Sequence, residues 1–220
     1  MKEPVSETPG SQQDLPAVFV VLLHSPMKNR VGQEVTTAVT NLDIHDIARS
    51  CKTFGVRQYF IVNPEEEQET MVQGILSHWH SEVSQIYHPA RAAALETVCY
   101  LRTFEEAYNE ATRLAHGARP FVVMPDAKRL PDALSYDELR RRWMNSNLTA
   151  EHEPKKSHMS EGFPEKRSLM IVFGTGWGIA PRFYDRVDAP LEPIRGPLQY
   201  NHLSVRAAAA IVLDRLFRVE

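Results

Sequence analysis

The sequence predicts an α/β fold with a mostly parallel sheet and helices on both of its faces. Short apolar segments rich in β-branched residues, such as residues 17–24 and 169–173, are typical of buried strands. These segments alternate along the chain with segments whose apolar residues recur at helical spacing. Regular alternation of strands and helices is the pattern of α/β domains with parallel sheets.

Composition is that of a globular protein of one domain. The chain has 220 residues, of which 43% are hydrophobic and 24% charged, so a sizeable core is possible. The net charge is −3, which gives no overall nucleic-acid footprint. If the protein binds RNA, it must therefore do so through a local basic patch. Cys51 and Cys99 lie far apart in the sequence and are predicted to be small core residues in a reducing compartment.

We expect one domain over residues 17–220, preceded by a disordered tail. Residues 1–16 are polar and contain three prolines and one glycine. Residues 145–167 contain few large apolar side chains, and we interpret them as a mobile surface loop inserted in the domain. No apolar run approaches the length of a membrane span, and residues 1–16 lack the apolar region of a signal peptide. We therefore expect a cytoplasmic protein without membrane contact.

The elements follow one another in a regular order. Gly55 is predicted to end the first helix, which Asp43 is expected to cap, and Ser135-Tyr-Asp-Glu138 is a capping box that opens a later helix. Strands are expected at residues 17–24, 57–62, 97–102, 120–124, 169–173 and 191–194. Helices are expected at residues 44–54, 65–80, 103–116, 135–144, 181–187 and 204–218.

The most informative stretch is Ile171-Val-Phe-Gly-Thr-Gly-Trp-Gly-Ile-Ala-Pro181. A buried strand ends there in a loop with three glycines in five residues, which allows positive φ and leaves backbone N–H groups uncovered by side chains. In open α/β sheets, ligands bind at the carboxyl ends of strands, so the loop is a candidate cradle for an anion or an amide. It is neither a dinucleotide fingerprint nor a P-loop. A tight turn without a ligand is the alternative.

Three stretches, in this order, resemble the SPOUT or α/β-knot class of S-adenosylmethionine (SAM)-dependent RNA methyltransferases. The first is Thr40-Asn-Leu-Asp-Ile-His-Asp-Ile-Ala-Arg49, followed by Phe54-Gly-Val56. The second is Phe173-Gly-Thr-Gly-Trp-Gly-Ile-Ala180, and the third runs from Pro193 to Ala207. The likeness is greatest to a bacterial branch akin to tRNA guanine methyltransferases, and it covers roughly residues 17–217.

The resemblance implies a C-terminal trefoil knot, a homodimer with active sites at the subunit interface, and SAM as the cofactor. Such knots are otherwise nearly absent from proteins, so pattern reasoning alone would not predict one. Backbone groups would hold most of the cofactor, and small residues early in the last helix would let it approach. The residues that the resemblance places at the cofactor are Gly174, Thr175, Gly176, Trp177, Gly178, Ile194, Arg195, Gly196, Leu198, Asn201, His202, Leu203 and Ser204.

Candidates for catalysis lie in the first stretch. By order, Asn41 and Arg49 match an asparagine and an arginine that lie near the transferred methyl group in the ribose-methylating branch. Arg49 could instead be a solvated helix residue in a salt bridge. Asp43 and Asp46 are candidate helix caps, and one of the two is instead a candidate general base for a guanine nitrogen, for which we name Asp46. Methyl transfer from a sulfonium needs no metal ion, and we expect none.

RNA contacts would come from basic side chains, for which we name Lys128, Arg140, Arg141 and Arg142. The implied substrate is a nucleotide of structured RNA, with tRNA favoured over rRNA and guanine as the base. Two other functions stay open. One is a non-catalytic SAM-binding or nucleotide-binding module with a regulatory or ribosome-associated role. The other is an α/β enzyme that handles nucleotide-sugars or phosphates, although the glycine loop lacks the lysine that such enzymes often use.

Overall fold

A computed structural model describes residues 16–144 and 168–219 and places a six-stranded parallel sheet at the centre of the protein. Its strands are β1 (Val18–Leu23), β4 (Gln58–Val62), β5 (Val98–Leu101), β6 (Phe121–Pro125), β7 (Leu169–Gly174) and β8 (Ala189–Leu191). They lie in the order β5-β4-β1-β7-β6-β8. Two short strands, β2 (Met27–Lys28) and β3 (Glu34–Val35), form a separate antiparallel hairpin.

Seven α-helices lie in the described ranges, together with a 3-10 helix at Pro181–Arg186. The α-helices are α1 (Asn41–Thr53), α2 (Glu66–Trp79), α3 (Glu82–Tyr87), α4 (Pro89–Leu95), α5 (Phe104–Leu114), α6 (Tyr136–Met144) and α7 (Val205–Phe217). The predicted α/β class with a parallel sheet is therefore confirmed.

Each face of the sheet carries its own apolar core, because alternate side chains of a strand point to opposite faces. On β1, Val20 and Leu22 pack with residues of α1, α4, α6 and α7. Phe19 and Val21 pack on the other face with residues of α5 and the 3-10 helix. Both faces are thus covered, which explains why the central strands are apolar at every position.

Some predicted boundaries were wrong for local reasons. Thr40, not Asp43, is the N-cap of α1, and its hydroxyl accepts the N–H of Asp43. The last predicted strand, at residues 191–194, is instead β8 at Ala189–Leu191. Helices α3 and α4 were missed because elements of six and seven residues are too short to show a helical period.

Two expectations fall largely outside the described residues. These are the tail at residues 1–16 and the loop at residues 145–167. Within the described ranges, none of the helices is long and apolar enough to cross a membrane.

The parallel arrangement brings several loops to one end of the sheet, here called the carboxyl edge. Strands β7, β6 and β8 are neighbours, and at this edge they continue into residues 175–180, residues 126–135 and residues 192–204, respectively. The connection of residues 24–40, which includes the β2–β3 hairpin, leaves β1 at the same edge. The glycine loop predicted from the sequence therefore lies where ligands bind in α/β proteins.

Candidate active site

The glycine loop, residues 174–178, is a tightly packed turn at the end of β7. Gly176 and Gly178 have φ angles of 57° and 98°, which side chains rarely adopt. A Cβ atom on Gly174 would lie 2.5 Å from Cγ1 of Ile179. The packing around Gly174 and the backbone of the other two positions therefore require glycine.

The loop is joined to the β2–β3 hairpin by backbone hydrogen bonds. The N–H of Lys28 donates to the carbonyl of Gly178 at 2.8 Å, and the N–H of Trp177 donates to the carbonyl of Lys28 at 3.3 Å. The N–H of Gly178 donates to the carbonyl of Thr175, so the N–H groups of Trp177 and Gly178 are both bonded to backbone carbonyls. The indole of Trp177 is nevertheless 63% exposed.

A series of hydrogen-bonded polar side chains lies against the glycine loop. His24 follows β1 and is fully buried, with its Nδ1 atom 3.0 Å from the hydroxyl of Thr37. That hydroxyl also forms a hydrogen bond with the hydroxyl of Thr175. Burial lowers the pKa of His24 from its usual 6.5 to about 4, although the Asp43 carboxylate opposes the shift. The imidazole is therefore neutral at physiological pH and can serve as a structural hydrogen-bonding group.

Arg206 links the first and third sequence stretches. It lies in the first turn of α7, and its guanidinium is 3.2 Å from the buried carboxylate of Asp43 and 3.4 Å from the exposed carboxylate of Asp46. Asp43 also accepts the hydroxyl hydrogen of Thr40 at 2.6 Å. The start of α1 is thus attached to the start of α7, beside the segment that the family resemblance assigns to the cofactor.

That segment, here called the C-terminal segment (residues 192–204), exposes apolar side chains. Leu198 and Tyr200 are 80% and 77% exposed, and Leu203 is 48% exposed. Asn201 Nδ2 donates to the carbonyl of Ala127 at 2.7 Å, which holds the segment against the loop that follows β6. Exposed apolar side chains held together on a small surface indicate a ligand or partner site.

The three catalytic candidates all lie on α1, spread along its length. Asn41 is exposed at the first residue of the helix, and Asp46 is exposed and paired with Arg206. Arg49 is exposed, and no ion pair within the described residues includes it. The eight residues from Asn41 to Arg49 correspond to about 12 Å along the helix axis. Their backbones are therefore separated by about two helical turns.

The structure separates the four predicted RNA contacts into two groups. Lys128 is exposed in the loop after β6, next to the C-terminal segment. Arg140 donates to the carbonyl of Arg218 at the far end of α7, and Arg142 pairs with Glu138. Because α7 has 13 residues, this end lies about 20 Å along the helix axis from Ser204, whereas the start of α6 contacts the C-terminal segment through the N–H of Tyr136, which donates to the Glu192 carboxylate. Lys128 thus lies beside the C-terminal segment and the three arginines lie along α6, and contact of either group with RNA stays a prediction.

Comparison with known proteins identifies the family. A family model described as SAM-dependent RNA methyltransferase matches residues 17–150 and 144–218. The chain belongs to this family. Its activity is therefore that of a SAM-dependent RNA methyltransferase, and the resemblance inferred from the three stretches is confirmed.

Relatives of this methyltransferase occur in several bacteria. An uncharacterized protein of Aquifex aeolicus is 34% identical over 91% of the chain and 88% of its own length. A protein of Oleidesulfovibrio alaskensis named tRNA (guanine-N(1)-)-methyltransferase is 34% identical over 90% of the chain. One of the same name from Nitratidesulfovibrio vulgaris is 34% identical over 90% of the chain as well. The match spans only 41% of each of these last two relatives.

Solved structures share the fold at low sequence identity. A methylase family protein from Neisseria gonorrhoeae has a TM-score of 0.58 at 15% identity, covering 96% of this chain and 86% of its own. TrmJ from Z. mobilis has a TM-score of 0.51 at 13% identity, covering 94% and 70%. The SpoU methyltransferase AviRb from Streptomyces viridochromogenes, in complex with AdoMet, has a TM-score of 0.50 at 11% identity, covering 97% and 62%.

The residues at the carboxyl edge fit SAM. The exposed apolar side chains of Leu198, Tyr200 and Leu203 suit the faces of an adenine ring. Within residues 16–144 and 168–219, no group of three or more His, Cys, Asp or Glu side chains could hold a metal ion.

Sequence reasoning missed His24, Thr37 and Arg206. A histidine at the end of a buried strand could have drawn attention to His24, because strand ends at this edge carry functional residues. Arg206 lies within the third stretch, but its aspartate partners lie some 160 positions earlier in the chain.

Proposed function

We propose that the enzyme methylates a guanine nucleotide of a structured RNA, with tRNA as the favoured substrate. The observation that supports this best is the convergence of the glycine loop and the exposed apolar C-terminal segment at the carboxyl edge. The two relatives named tRNA (guanine-N(1)-)-methyltransferase support the choice of tRNA and guanine. That name describes whole proteins, of which 41% matches this chain, so the substrate needs its own test.

We infer that residues 174–178 and 194–204 hold SAM mostly through backbone groups. Gly196 borders open space, because a Cβ atom there would meet nothing within 4 Å. The ion pair of Arg206 with Asp43 would keep the start of α7 fixed against α1. SAM supplies an electrophilic methyl group, and the protein must position the accepting nitrogen and accept its proton.

The proposed catalytic residues remain Asn41, Asp46 and Arg49. Asp46 has an exposed carboxylate that shares Arg206 with Asp43, so it is accessible as a proton acceptor. The exposure of Arg49, and its distance along α1 from Asn41, fit a homodimer in which one subunit's Arg49 serves the other subunit's site. Both carboxylate oxygens of Asp43 are already engaged, which suits a structural role.

We also propose the C-terminal trefoil knot of the SPOUT class. After edge strand β8, the chain lies against the loop that follows β6, where Asn201 donates to the carbonyl of Ala127. It then returns as α7, which packs beside α1. This return from the sheet edge to its centre supports a threaded arrangement.

A transfer experiment tests the substrate. We expect the purified enzyme, given SAM with a labelled methyl group, to label total bacterial tRNA at least tenfold more than an equal mass of rRNA. Digestion of the labelled RNA to nucleosides should give a base-methylated guanosine. Label confined to rRNA would contradict tRNA as the substrate, and label in a ribose would contradict base methylation. No transfer to either RNA would contradict the proposed substrate class.

A further inference from the structure

The tip of the β2–β3 hairpin presents a side-chain pair that the cofactor site does not use. Arg30 is exposed, and Val31 is 76% exposed. Both project from a turn that internal hydrogen bonds hold together. The Asn29 side chain accepts the N–H of Val31 at 3.0 Å and the N–H of Gln33 at 2.9 Å, and Gly32 provides the positive φ that the turn needs. The turn therefore holds Arg30 and Val31 at the protein surface.

This hairpin is rigidly attached to the glycine loop. Besides the hydrogen bonds of Lys28 with Trp177 and Gly178, Met27 forms an antiparallel bridge with Ile179. The Glu34 carboxylate also binds the guanidinium of Arg182, with Oε2 2.8 Å from Nε. A molecule bound at the hairpin tip would therefore be held at a fixed position relative to the glycine loop.

The hairpin carries a local positive charge in an acidic protein. Glu34 is the one acidic residue among residues 26–35, and its pairing with Arg182 holds the pKa of its carboxyl below the usual value. Neither Lys28 nor Arg30 forms an ion pair with another described residue. The side chain of Lys28 lies against the glycine loop, within 4 Å of where a Cβ on Gly178 would be, and Arg30 follows two residues later at the hairpin tip. The indole of Trp177, in the same loop, is exposed.

Positive side chains next to an exposed aromatic ring are the features that bind unpaired nucleotides, since phosphates pair with the cations and bases stack on the ring. We propose that Lys28, Arg30, Val31 and Trp177, here called the hairpin surface, bind the RNA strand that flanks the methylated nucleotide. Trp177 stacks on an unpaired base, Lys28 and Arg30 contact phosphates, and Val31 packs against a neighbouring sugar or base. This inference rests on the proposed function and specifies where its RNA is held.

A second copy of the chain suits this surface less well. In a symmetric dimer, a contact about the hairpin tip would bring the Arg30 and Lys28 side chains of the two copies together. Like charges at close range disfavour such a contact. The test nevertheless includes the oligomeric state.

The inference predicts a local change in RNA affinity. In filter binding with end-labelled, deacylated total bacterial tRNA, we expect Arg30→Glu to weaken binding about tenfold or more. Arg30→Gln should reduce the slope of log affinity against log salt by about one, because one phosphate contact is lost. Arg119→Glu is the matched control, since Arg119 is exposed before β6 at the opposite edge of the sheet, and it should change affinity less than twofold.

Two further measurements make the test specific. Binding of tRNA should quench tryptophan fluorescence in the wild-type protein, and most of that quenching should be absent in Trp177→Phe, which keeps Trp79 and Trp143. Arg141→Glu tests the alternative that the basic residues of α6, Arg140, Arg141 and Arg142, bind the RNA. If Arg141→Glu weakens tRNA binding and Arg30→Glu does not, the hairpin surface is excluded.

The outcomes separate this inference from the proposed function. Equal tRNA affinity of Arg30→Glu and the wild-type protein would overturn the hairpin surface while leaving methyl transfer to tRNA intact. Absence of tRNA binding by the wild-type protein would instead overturn the proposed substrate. If Val31→Asp changes the molar mass measured by light scattering from dimer to monomer, the tip is a subunit contact and the inference is wrong.

Discussion

The variant Gly176→Val is expected to lose SAM affinity by at least about 100-fold. Gly176 has a φ of 57°, and its Cβ would lie 3.3 Å from Cγ2 of Thr37 and 3.5 Å from the carbonyl oxygen of Lys28. A β-branched residue at positive φ is strained, and the added methyl groups have no free space on the hairpin side. The loop must therefore move, and its backbone groups would no longer be positioned for the cofactor. Titration calorimetry with SAM measures the effect.

The control for Gly176→Val is a glycine far from the site. Gly74 lies within α2, and a Cβ there would meet nothing within 4 Å. Gly74→Ala should bind SAM as the wild type does, and should be more stable by up to about 1 kcal/mol because alanine favours the helix. If Gly176→Val is folded and binds SAM with unchanged affinity, the glycine loop is not part of the cofactor site.

The variant Arg206→Leu is expected to lower the free energy of unfolding by about 3 kcal/mol. Its guanidinium is the positive partner of Asp43, whose side chain is only 7% exposed. Leucine would leave the carboxylate buried with the Thr40 hydroxyl and nearby backbone as its remaining support. Removing one partner of a buried ion pair costs more than the pair contributes, because the other charge stays desolvated. Urea denaturation at pH 7 measures the change.

Asp46 provides the matched comparison for this ion pair. It binds the same guanidinium at 3.4 Å, but its side chain is 53% exposed. Asp46→Asn should therefore change the free energy of unfolding by less than about 1 kcal/mol. If Arg206→Leu and Asp46→Asn lower the free energy of unfolding equally, the burial of Asp43 does not determine how much its ion pair with Arg206 stabilises the protein.

The strands and the glycine loop could be predicted because their signals are local. Residues 169–173 are apolar at every position because both faces of the sheet are covered. The structure confirms that the packing or the backbone conformation requires glycine at the three positions that follow, Gly174, Gly176 and Gly178. The α1 cap was harder to assign. Thr40 and Asp43 are both good capping residues, and only the backbone conformation distinguishes the cap from the third helical position.

Other features depend on distant residues and could not be predicted from local patterns. Strands β2 and β3 have two residues each, and the hairpin is held by the glycine loop, which lies about 150 positions later. The approach of Arg206 to Asp43 requires that α1 and α7 pack side by side. The position of Arg140, Arg141 and Arg142 depends on the direction of α6, which runs away from the carboxyl edge.

The most direct test of where the cofactor binds is a crystal structure of the protein with S-adenosylhomocysteine, the product left after methyl transfer. We predict density for the ligand at the carboxyl edge, in contact with residues 174–178 and the C-terminal segment. Density at a different place would contradict this site. One such place is the cavity of about 590 Å³ that Leu76, His80, Val98 and Tyr100 help to line between α2 and β5.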